Sequence, residues 1–345
     1  MFDDQTAPGT AFVTGASGFI AKHVIRQLLD AGWNVRGSLR ALAKGEAVRQ
    51  TMALHVLEPE RLAEKLSFVE LDLNSDAGWD TAMVGADVLV HTASPFPLEQ
   101  PKDPQDLVAP AVEGTKRALN AARAAGISRV VLTSSVAAVM FGPGSARGGA
   151  LTEADWTDPK DPRASAYVQS KTLAERAAWS LAQTEPALEL TVINPGFVLG
   201  AALDGDTGTS YAVVERLLSG KDPAVPDISF PCVHVEDVAA AHVAALRRPD
   251  SIGARFILAD RTMTFLDLAR ELKGQYPDRK IATRMAPRWL LRILAIFDPA
   301  LKSVLPQLGY HPDLSNAAAR NVLGVQFRKG EEALRETAAD LVQRV

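Results

Sequence analysis

The sequence predicts an α/β protein, in which helices cover both faces of a doubly wound parallel sheet and a smaller, mostly helical lobe follows. Short β-branched runs alternate with helical stretches through the first two-thirds of the chain, as in a sheet built from β–α–β units. After Pro195 this alternation stops, and Gly-, Asp-, Ser- and Pro-rich sequence leads into helical stretches broken by proline. The length of 345 residues suits a large domain with an added lobe, since one domain typically takes about 150 residues.

The elements follow one another in a regular order along the chain. Short runs rich in Val, Ile, Leu and Thr predict strands, and longer stretches with apolar residues on one helical face predict helices. The strands predicted for the main sheet cover residues 10–14, 33–39, 66–71, 88–91, 129–133, 188–193 and 256–258. The helices predicted between them include residues 18–31, 106–125 and 165–181. Beyond Pro195 we expect a helix at 211–218, a strand at 233–235 and a helix ending near 245.

Composition and charge exclude several classes of protein. Asp and Glu outnumber Lys and Arg by 41 to 37, a net charge of −4, so we expect neither nucleic acid nor an anionic membrane surface as the main partner. Cys232 is the single cysteine, which is typical of a reducing, cytoplasmic setting. Residues 1–4 lack the basic and apolar regions of a signal peptide. The most apolar late stretch, residues 289–297, is far shorter than the ~20 residues of a membrane span.

A glycine-containing turn follows the first predicted strand, in the sequence Thr14-Gly15-Ala16-Ser17-Gly18-Phe19-Ile20. Gly15 permits a tight turn, and Gly18 lets the backbone approach a pyrophosphate closely. The helix that follows offers unpaired N–H groups and the positive end of its dipole to such an anion. The third small position is Ala21 rather than glycine. Because the turn lies at the first strand-to-helix junction, it predicts a Rossmann-type dinucleotide site rather than an ordinary corner.

The end of the second predicted strand indicates which dinucleotide binds. An NAD site usually carries Asp or Glu about 20 residues after the glycine turn, where the acid binds the ribose hydroxyls. Residues 34–45 contain no acid and hold Arg36, Ser38, Arg40 and Lys44 instead. Such cationic donors suit the 2′-phosphate of NADP(H). The segment therefore predicts NADPH as cofactor, and the alternative is a solvated basic loop.

Three side chains form the predicted catalytic set. Ser135 follows the predicted strand 129–133, at the carboxyl edge of the sheet where ligands bind in this fold class. Tyr167 and Lys171 lie four residues apart on a predicted helix and therefore share one face. A nearby ammonium would lower the pKa of the phenol from its usual value of about 10, and Ser135 would donate a hydrogen bond to a substrate carbonyl. By itself a Tyr-x-x-x-Lys pair also fits a surface pair, so its meaning depends on the other motifs.

Together these motifs resemble those of the extended short-chain dehydrogenase/reductase family of the NAD-dependent epimerase/dehydratase superfamily. Within that family the resemblance is greatest to the dihydroflavonol 4-reductase-like group, which includes aldehyde and ketone reductases. It spans nearly the whole chain in order. The further motifs that carry it are Asp72-Leu73, His91-Thr92-Ala93-Ser94-Pro95, Asn194-Pro195-Gly196 and His234-Val235-Glu236-Asp237-Val238-Ala239.

The resemblance implies a role for each site residue. Tyr167 would be the general acid in carbonyl reduction, Ser135 would orient and polarise the carbonyl, and Lys171 would hold the nicotinamide ribose. Ser134 is the adjacent alternative, but members of the family place the catalytic hydroxyl at the second Ser of Thr-Ser-Ser. The residues implied to contact the cofactor are Gly15, Ser17, Gly18, Phe19, Ile20, Arg40, Lys44, Asp72, Leu73, Thr92, Ala93, Ser94, Lys171, Pro195, Gly196 and Val198. The six histidines show no metal-ligand spacing, so we expect no metal site.

The motifs also divide the chain into two interleaved parts. Residues 1–195 are predicted to form the dinucleotide-binding domain, to which residues 232–260 return, and residues 196–231 and 261–345 the substrate lobe. Plant flavonoid reductases carry Asn where this chain has Val139, and the neighbouring residues 137–141 are apolar. This difference favours a hydrophobic ketone or aldehyde over a flavonoid. The apolar residues 289–297 are expected to be lobe core, or alternatively a wall of the substrate pocket.

The sequence therefore predicts an NADPH-dependent carbonyl reductase, reversible as an alcohol dehydrogenase, that acts on a small hydrophobic substrate as a monomer or homodimer. One alternative is a sugar-nucleotide epimerase or dehydratase, which would use the same Tyr and Lys but usually keeps NAD tightly bound. The basic residues after the second strand speak against it. The other alternative is a non-catalytic NADP-binding regulator, and such proteins commonly lose the Tyr–Lys pair that is present here.

Overall fold

The computed structural model describes residues 9–94, 103–184, 188–297 and 305–344. Residues 1–4 and Pro95, which the sequence motifs include, lie outside these ranges. The strands that the model describes are β1 (Thr10–Thr14), β2 (Asn34–Leu39), β3 (Leu66–Glu70), β4 (Val88–His91), β5 (Arg129–Thr133), β6 (Glu189–Pro195), β7 (Phe197–Leu199), β8 (Ser229–His234), β9 (Arg255–Leu258) and β10 (Arg261–Thr264).

The main layer is a seven-stranded sheet in the order β3-β2-β1-β4-β5-β6-β9, with parallel pairing throughout. The chain first adds strands on one side of β1 and then crosses to the other side at β4. The carboxyl ends of β1 and β4 therefore flank a topological switch point, where ligands bind in open α/β sheets. This arrangement confirms the predicted doubly wound, Rossmann-type fold.

Helices cover both faces of this sheet because its strands bury side chains on both sides. The helices described are α1 (Phe19–Asp30), α2 (Gly45–Ala53), α3 (Leu62–Lys65), α4 (Trp79–Ala82), α5 (Gln105–Ala124), α6 (Ala166–Ala182), α7 (Ser210–Ser219), α8 (Val235–Arg247), α9 (Phe265–Gln275), α10 (Arg288–Leu294) and α11 (Gly330–Gln343). On one face α1 and α8 pack against Val13 of β1. On the other face α5 and α6 pack against Phe12 of the same strand. Successive residues of a strand point to opposite faces, and both of these are fully buried.

The C-terminal lobe contains a second sheet that the sequence did not predict. Strand β8 pairs in parallel with β7 and antiparallel with β10. These strands are short, and β8 carries Pro231, so their sequence pattern is weak. Helices α7, α9 and α11 pack on this sheet around a core that includes Leu217, Leu268 and Leu334. Cys232 is buried in the same core, and burial raises the pKa of its thiol, so it acts as a small apolar residue.

The motif that begins at His234 connects α8 to the C-terminal segment. His234 caps α8 by accepting a hydrogen bond from the backbone N–H of Glu236, and its Nε2 lies 2.9 Å from a carboxylate oxygen of Glu336. Asp237 accepts a hydrogen bond of 2.7 Å from the backbone N–H of Arg328. Strand β8 covers Ser229–His234 and therefore crosses the domain boundary predicted at residue 232. It pairs with strands of the lobe, whereas β9 joins the main sheet. Across the described ranges, we find no helix long and apolar enough to cross a bilayer.

Candidate active site

A cavity of about 1250 Å³ lies at the carboxyl ends of β1, β4, β5 and β6, between the main sheet and the lobe. It collects almost every site residue that the sequence predicts. The predicted residues that line it are Gly15, Ser17, Gly18, Phe19, Ile20, Arg40, Asp72, Leu73, Thr92, Ala93, Ser94, Ser135, Tyr167, Lys171, Pro195, Gly196 and Val198. Lys44 is not among the lining residues, and it lies in the exposed 3-10 turn Leu42–Lys44.

The glycine turn forms one end of this cavity. Gly15 has a φ of +68°, and a Cβ atom there would lie 3.0 Å from the Cβ of Ala93. A side chain at this position would therefore be strained and would crowd the loop after β4. Helix α1 starts at Phe19, and no side chain caps its N-terminus at Gly18. The backbone N–H groups of its first turn are thus available to an anion, as the pyrophosphate of a dinucleotide requires.

Buried hydrogen bonds hold the loop after β4 beside this turn. The hydroxyl of Thr14 accepts from the backbone N–H of Ala93 at 3.0 Å and lies 2.8 Å from Nδ1 of His91. Thr92 donates to the carbonyl of Thr14 at 2.5 Å. Burial lowers the pKa of His91 to about 3, so this imidazole is neutral. His91, the last residue of β4, thus serves to hold the strand end against Thr14.

The basic residues of the second strand separate in the structure. Arg40 is exposed and lines the cavity at the tip of β2. Arg36, which the sequence placed in the same phosphate-binding set, donates instead to the carbonyls of Ala82 and Val84, at 3.0 and 2.7 Å. Arg36 lies within β2 and is only partly exposed, whereas Arg40 follows Leu39, the last residue of the strand, at the carboxyl end where the cavity opens. The expectation for Arg36 is wrong, and of the cations predicted after the second strand it is Arg40 that lines the cavity.

The other predicted nucleotide contacts lie beside this tip. Asp72 and Leu73 follow β3 and line the cavity. The indole N–H of Trp79 donates to the carbonyl of Asp72 at 3.1 Å, and Trp79 itself lines the cavity. Ser38 accepts a hydrogen bond of 3.1 Å from the backbone N–H of Gly15, which joins the tip of β2 to the glycine turn. The sequence offered no signal for Trp79, because it comes from a short helix with no motif.

Ser135, Tyr167 and Lys171 meet at the middle of the cavity. Ser135 is the second residue after β5 and caps a 3-10 turn by accepting from the backbone N–H of Ala137 at 3.1 Å. Tyr167 lies in the first turn of α6, where its hydroxyl is hydrogen-bonded with Ser135. The Nζ atom of Lys171 lies 5.8 Å from the centre of the Tyr167 ring. The predicted i,i+4 spacing thus brings both side chains to the same side of α6.

Burial dominates the electrostatics of this group. It raises the pKa of Tyr167 above its ordinary value, while the hydrogen bond with Ser135 acts in the opposite direction. Burial also lowers the pKa of Lys171 to about 8. The expectation that Lys171 would bring the phenol pKa below its ordinary value is therefore wrong for this structure. Loss of hydration disfavours the charged form of each group. The phenol therefore keeps its proton to higher pH, and the ammonium loses its proton at lower pH.

The structure also distinguishes the two adjacent serines. Ser134 donates a hydrogen bond of 2.5 Å to the carboxylate of Glu175, which is fully buried. Its hydroxyl is therefore engaged by α6, whereas that of Ser135 is directed to Tyr167. This geometry supports Ser135 as the catalytic hydroxyl.

Beyond Tyr167 the cavity is predominantly apolar. The side chains of Phe197, Phe230 and Phe265 form one wall. The ring centre of Phe230 lies 4.6 Å from that of Phe197 and 5.5 Å from that of Phe265. The loop after Ser135 contributes further apolar lining residues. Val139 is buried and does not line the cavity. The apolar lining residues of this half are Val136, Ala137, Met140, Phe141, Phe197, Val213, Val225, Ile228, Phe230, Phe265, Ala286, Leu290 and Leu291.

The apolar stretch 289–297 contributes to this wall in part. Leu290 and Leu291 line the cavity, while Trp289 and Phe297 are 63% and 81% exposed. The sequence could not assign individual residues to the cavity, because the run is apolar throughout except at Arg292 and so has no polar face.

Polar side chains interrupt the apolar wall, since Arg216, Asp222, Ser229 and Gln307 also line the cavity. Ser229 lines the cavity, and its hydroxyl lies 2.5 Å from Nδ1 of His311, whose Nε2 lies 3.2 Å from Asp227. His311 lies 82 residues from Ser229 in sequence, so no spacing in the sequence connected them. In the described parts of the chain, no cluster of His, Cys, Asp and Glu could hold a metal ion.

Fold and site together define a dinucleotide-binding α/β protein with a Ser–Tyr–Lys set beside its cofactor turn. The model of the NAD dependent epimerase/dehydratase family matches residues 11–259. The chain belongs to this family, and within it to the extended short-chain dehydrogenase/reductase group.

Proteins of known sequence and structure place the chain more closely. It is 34% identical to a cinnamoyl-CoA reductase of Medicago truncatula over 279 residues, which cover 79% of this chain and 83% of that protein. It is 31% identical to an anthocyanidin reductase of Vitis vinifera over 290 residues, which cover 79% and 83%. The solved structure of the yeast methylglyoxal/isovaleraldehyde reductase Gre2, complexed with NADPH, matches with a TM-score of 0.80 and 27% identity, and covers 97% of this chain and 98% of that one. These relatives are reductases, which confirms the predicted family group.

Proposed function

We propose that the protein is an NADPH-dependent carbonyl reductase, reversible as an alcohol dehydrogenase, with Tyr167 as proton donor. The observation that carries this proposal is the hydrogen-bonded Ser135–Tyr167 pair, which faces one cavity together with Lys171 and the glycine turn. The relatives named above are reductases, and one of them was solved with NADPH.

The residues of the nucleotide half fit this cofactor. The crowded glycine at position 15 and the uncapped start of α1 provide a backbone cradle for the pyrophosphate. Arg40 lines the cavity where a 2′-phosphate would lie, and no acid occurs in residues 34–45 to bind an unphosphorylated ribose. Lys171 would hold the nicotinamide ribose. When bound, NADPH supplies hydride to the carbonyl carbon.

The chain's own residues handle the carbonyl oxygen. The Ser135 hydroxyl donates a hydrogen bond to this oxygen and stabilises the negative charge that develops on it. Tyr167 gives its phenolic proton to the same oxygen, so that the carbonyl becomes an alcohol. The ammonium of Lys171 favours the phenolate that remains. A raised phenol pKa suits the acid role, because the proton stays on Tyr167 until the substrate oxygen takes it.

The apolar half of the cavity indicates a hydrophobic substrate. A polar substrate group that is buried there without a hydrogen-bond partner would cost about 1–3 kcal/mol of binding free energy, whereas apolar and aromatic groups would pack on the walls. We therefore expect an aryl or alkyl ketone or an aldehyde.

A screen of NADPH oxidation over aryl ketones, β-keto esters, aldehydes and flavonoids tests this function. We expect turnover with apolar ketones or aldehydes and little with flavonoids, since Ala137, Met140 and Phe141, which line the cavity after Ser135, offer no polar side chain to a ring hydroxyl. Protein that is purified with bound NAD and consumes no NADPH would instead indicate a sugar-nucleotide epimerase or dehydratase. Protein that binds NADPH with no turnover of any kind would indicate a regulator.

The pH dependence of reduction follows from the two pKa shifts. Lys171, with its pKa lowered to about 8, is charged below that pH, and Tyr167, with its pKa raised, stays protonated there. We expect kcat/KM for ketone reduction to be level below about pH 7 and to fall as pH rises through about 8. The comparison is Lys171→Arg, whose guanidinium does not titrate in this range, so its profile should stay level to higher pH. A wild-type profile that is flat to about pH 10 would contradict this assignment.

A further inference from the structure

We propose that Glu175 is a positioning residue that sets the placement of Ser135 relative to Tyr167. This inference rests on the proposed reductase function and deepens it. Glu175 itself does not line the cavity. It acts through Ser134, Asn194 and Arg255, which lie behind the catalytic residues.

Glu175 shares one face of α6 with the two catalytic residues of that helix. Tyr167, Lys171 and Glu175 are spaced four residues apart, and such residues lie above one another on a helix. The first two face the cavity, and Glu175 lies one turn deeper, with its side chain fully buried. Its carboxylate is therefore a rigid point of attachment for the segment of α6 that carries the catalytic groups.

One oxygen of this carboxylate binds the ends of two strands. Its Oε2 accepts from the hydroxyl of Ser134 at 2.5 Å and from the side-chain amide of Asn194 at 2.7 Å. The same amide also donates to the backbone carbonyl of Ser135 at 3.1 Å. The residue before Ser135 and the backbone of Ser135 itself are thus both tied to Glu175. The distance between the Ser135 and Tyr167 hydroxyls depends on this connection.

The other oxygen binds a buried arginine. The Oε1 atom accepts from Nε of Arg255 at 2.5 Å, and the guanidinium lies 3.8 Å from the centre of the Trp156 ring. Arg255 also donates to the carbonyls of Asp155, at 2.8 Å, and of Ala138, at 3.4 Å. Ala138 ends the 3-10 turn that Ser135 caps. The ion pair therefore fixes the turn after Ser135 as well as the strand before it.

The energetics favour a role in geometry over one in stability. A buried ion pair contributes little net stability, because the loss of hydration offsets its attraction, and apolar residues of similar size are often as stable or more so. The pair instead fixes orientation, because each carboxylate oxygen of Glu175 accepts hydrogen bonds from donors on other elements of the fold. Errors of about 1 Å in a catalytic group can cost about 100-fold in rate, so a fixed frame behind Ser135 has a direct effect on turnover.

The test compares wild type, Glu175→Gln and the double variant Glu175→Met/Arg255→Met. The double variant leaves no buried charge without a partner, so it should fold even where Glu175→Gln does not. Asp237→Asn is the matched control, because Asp237 is also a buried acid paired with an arginine, Arg328, but lies outside the cavity lining. NADPH binding is measured by fluorescence titration, and kcat is expressed per NADPH-binding site on an aryl ketone.

We expect the Glu175 variants to lower kcat per site by about 10- to 100-fold with NADPH affinity changed by less than about threefold. Asp237→Asn should keep kcat per site within about twofold of wild type. A purely structural role for Glu175 would lower the yield of folded protein and leave kcat per site unchanged. A folded Glu175 variant with wild-type kcat per site would overturn the proposal.

A second readout does not depend on turnover. The ionisation of Tyr167 can be followed by ultraviolet difference spectroscopy, with the Tyr167→Phe form of each variant subtracted. Because the hydrogen bond with Ser135 lowers the pKa of this phenol, its loss in the double variant should raise the pKa further. Lys171, which lies 5.8 Å from the ring, is present in every variant. If the Tyr167 pKa is the same in the double variant and in wild type, the proposal for Glu175 is overturned, whether or not the protein reduces a carbonyl. If the pKa shifts as expected but the wild-type protein reduces no carbonyl, only the reductase function is refuted.

Discussion

Replacement of Tyr167 by phenylalanine is expected to lower kcat for ketone reduction by about 1000-fold, within the range of about 10² to 10⁴ for loss of a general acid. The variant removes one hydroxyl and keeps the ring that packs beside Lys171. NADPH affinity should change by less than about threefold, because the cofactor contacts proposed here lie on other residues. Steady-state kinetics with an aryl ketone and a fluorescence titration with NADPH measure the two effects.

Tyr276→Phe is the matched control for this prediction. Tyr276 loses the same hydroxyl but does not line the cavity, so its kcat should stay within about twofold of wild type. Near-normal turnover in Tyr167→Phe would refute Tyr167 as the proton donor. A loss of both turnover and NADPH binding would show that Tyr167 shapes the cofactor half of the cavity instead.

Replacement of Arg40 by alanine is expected to weaken NADPH binding by about 10- to 100-fold, since a hydrogen bond to a charged group contributes about 1.5–3 kcal/mol. NADH lacks the 2′-phosphate, so its affinity should change by less than about threefold. Dissociation constants for both dinucleotides, measured at one ionic strength, give the comparison directly.

Two neighbouring cations serve as controls for Arg40. Arg36→Ala should leave the ratio of NADPH to NADH affinity unchanged, because the Arg36 side chain binds the carbonyls of Ala82 and Val84. Lys44 was predicted to contact the phosphate but does not line the cavity, so Lys44→Ala should have a smaller effect than Arg40→Ala. Equal losses of NADPH and NADH affinity in Arg40→Ala would refute its role at the 2′-phosphate.

Much of the fold could be predicted because its signals are local. The first helix was predicted at 18–31 and is observed at Phe19–Asp30, and the helix that carries Tyr167 was predicted at 165–181 and is observed at Ala166–Ala182. Apolar residues repeat at helical spacing in both, and this spacing does not depend on the rest of the chain. The small sheet of the lobe was missed, because strands as short as Phe197–Leu199 have too few residues for a pattern.

The proposed catalytic residues and the glycine turn were also open to prediction, since each lies in a short local motif. The spacing of Tyr167 and Lys171 fixes their common face, and the position of Gly15 after the first strand fixes the turn. The frame behind them was not predictable. Glu175 and Arg255 are 80 residues apart in sequence, and only the packing of α6 on β6, which pairs with β9, brings them together.

The sequence by itself determined the fold class, the cofactor turn and the identity of the predicted catalytic side chains, because helical and strand periodicity and short motifs depend on neighbouring residues. The tertiary structure decided which cations face the cavity, which of Ser134 and Ser135 faces Tyr167, and the direction of the Tyr167 pKa shift. Each of these depends on burial and on contacts between distant segments. Burial removes the hydration that sets ordinary pKa values, and it follows only from the packing of the complete chain.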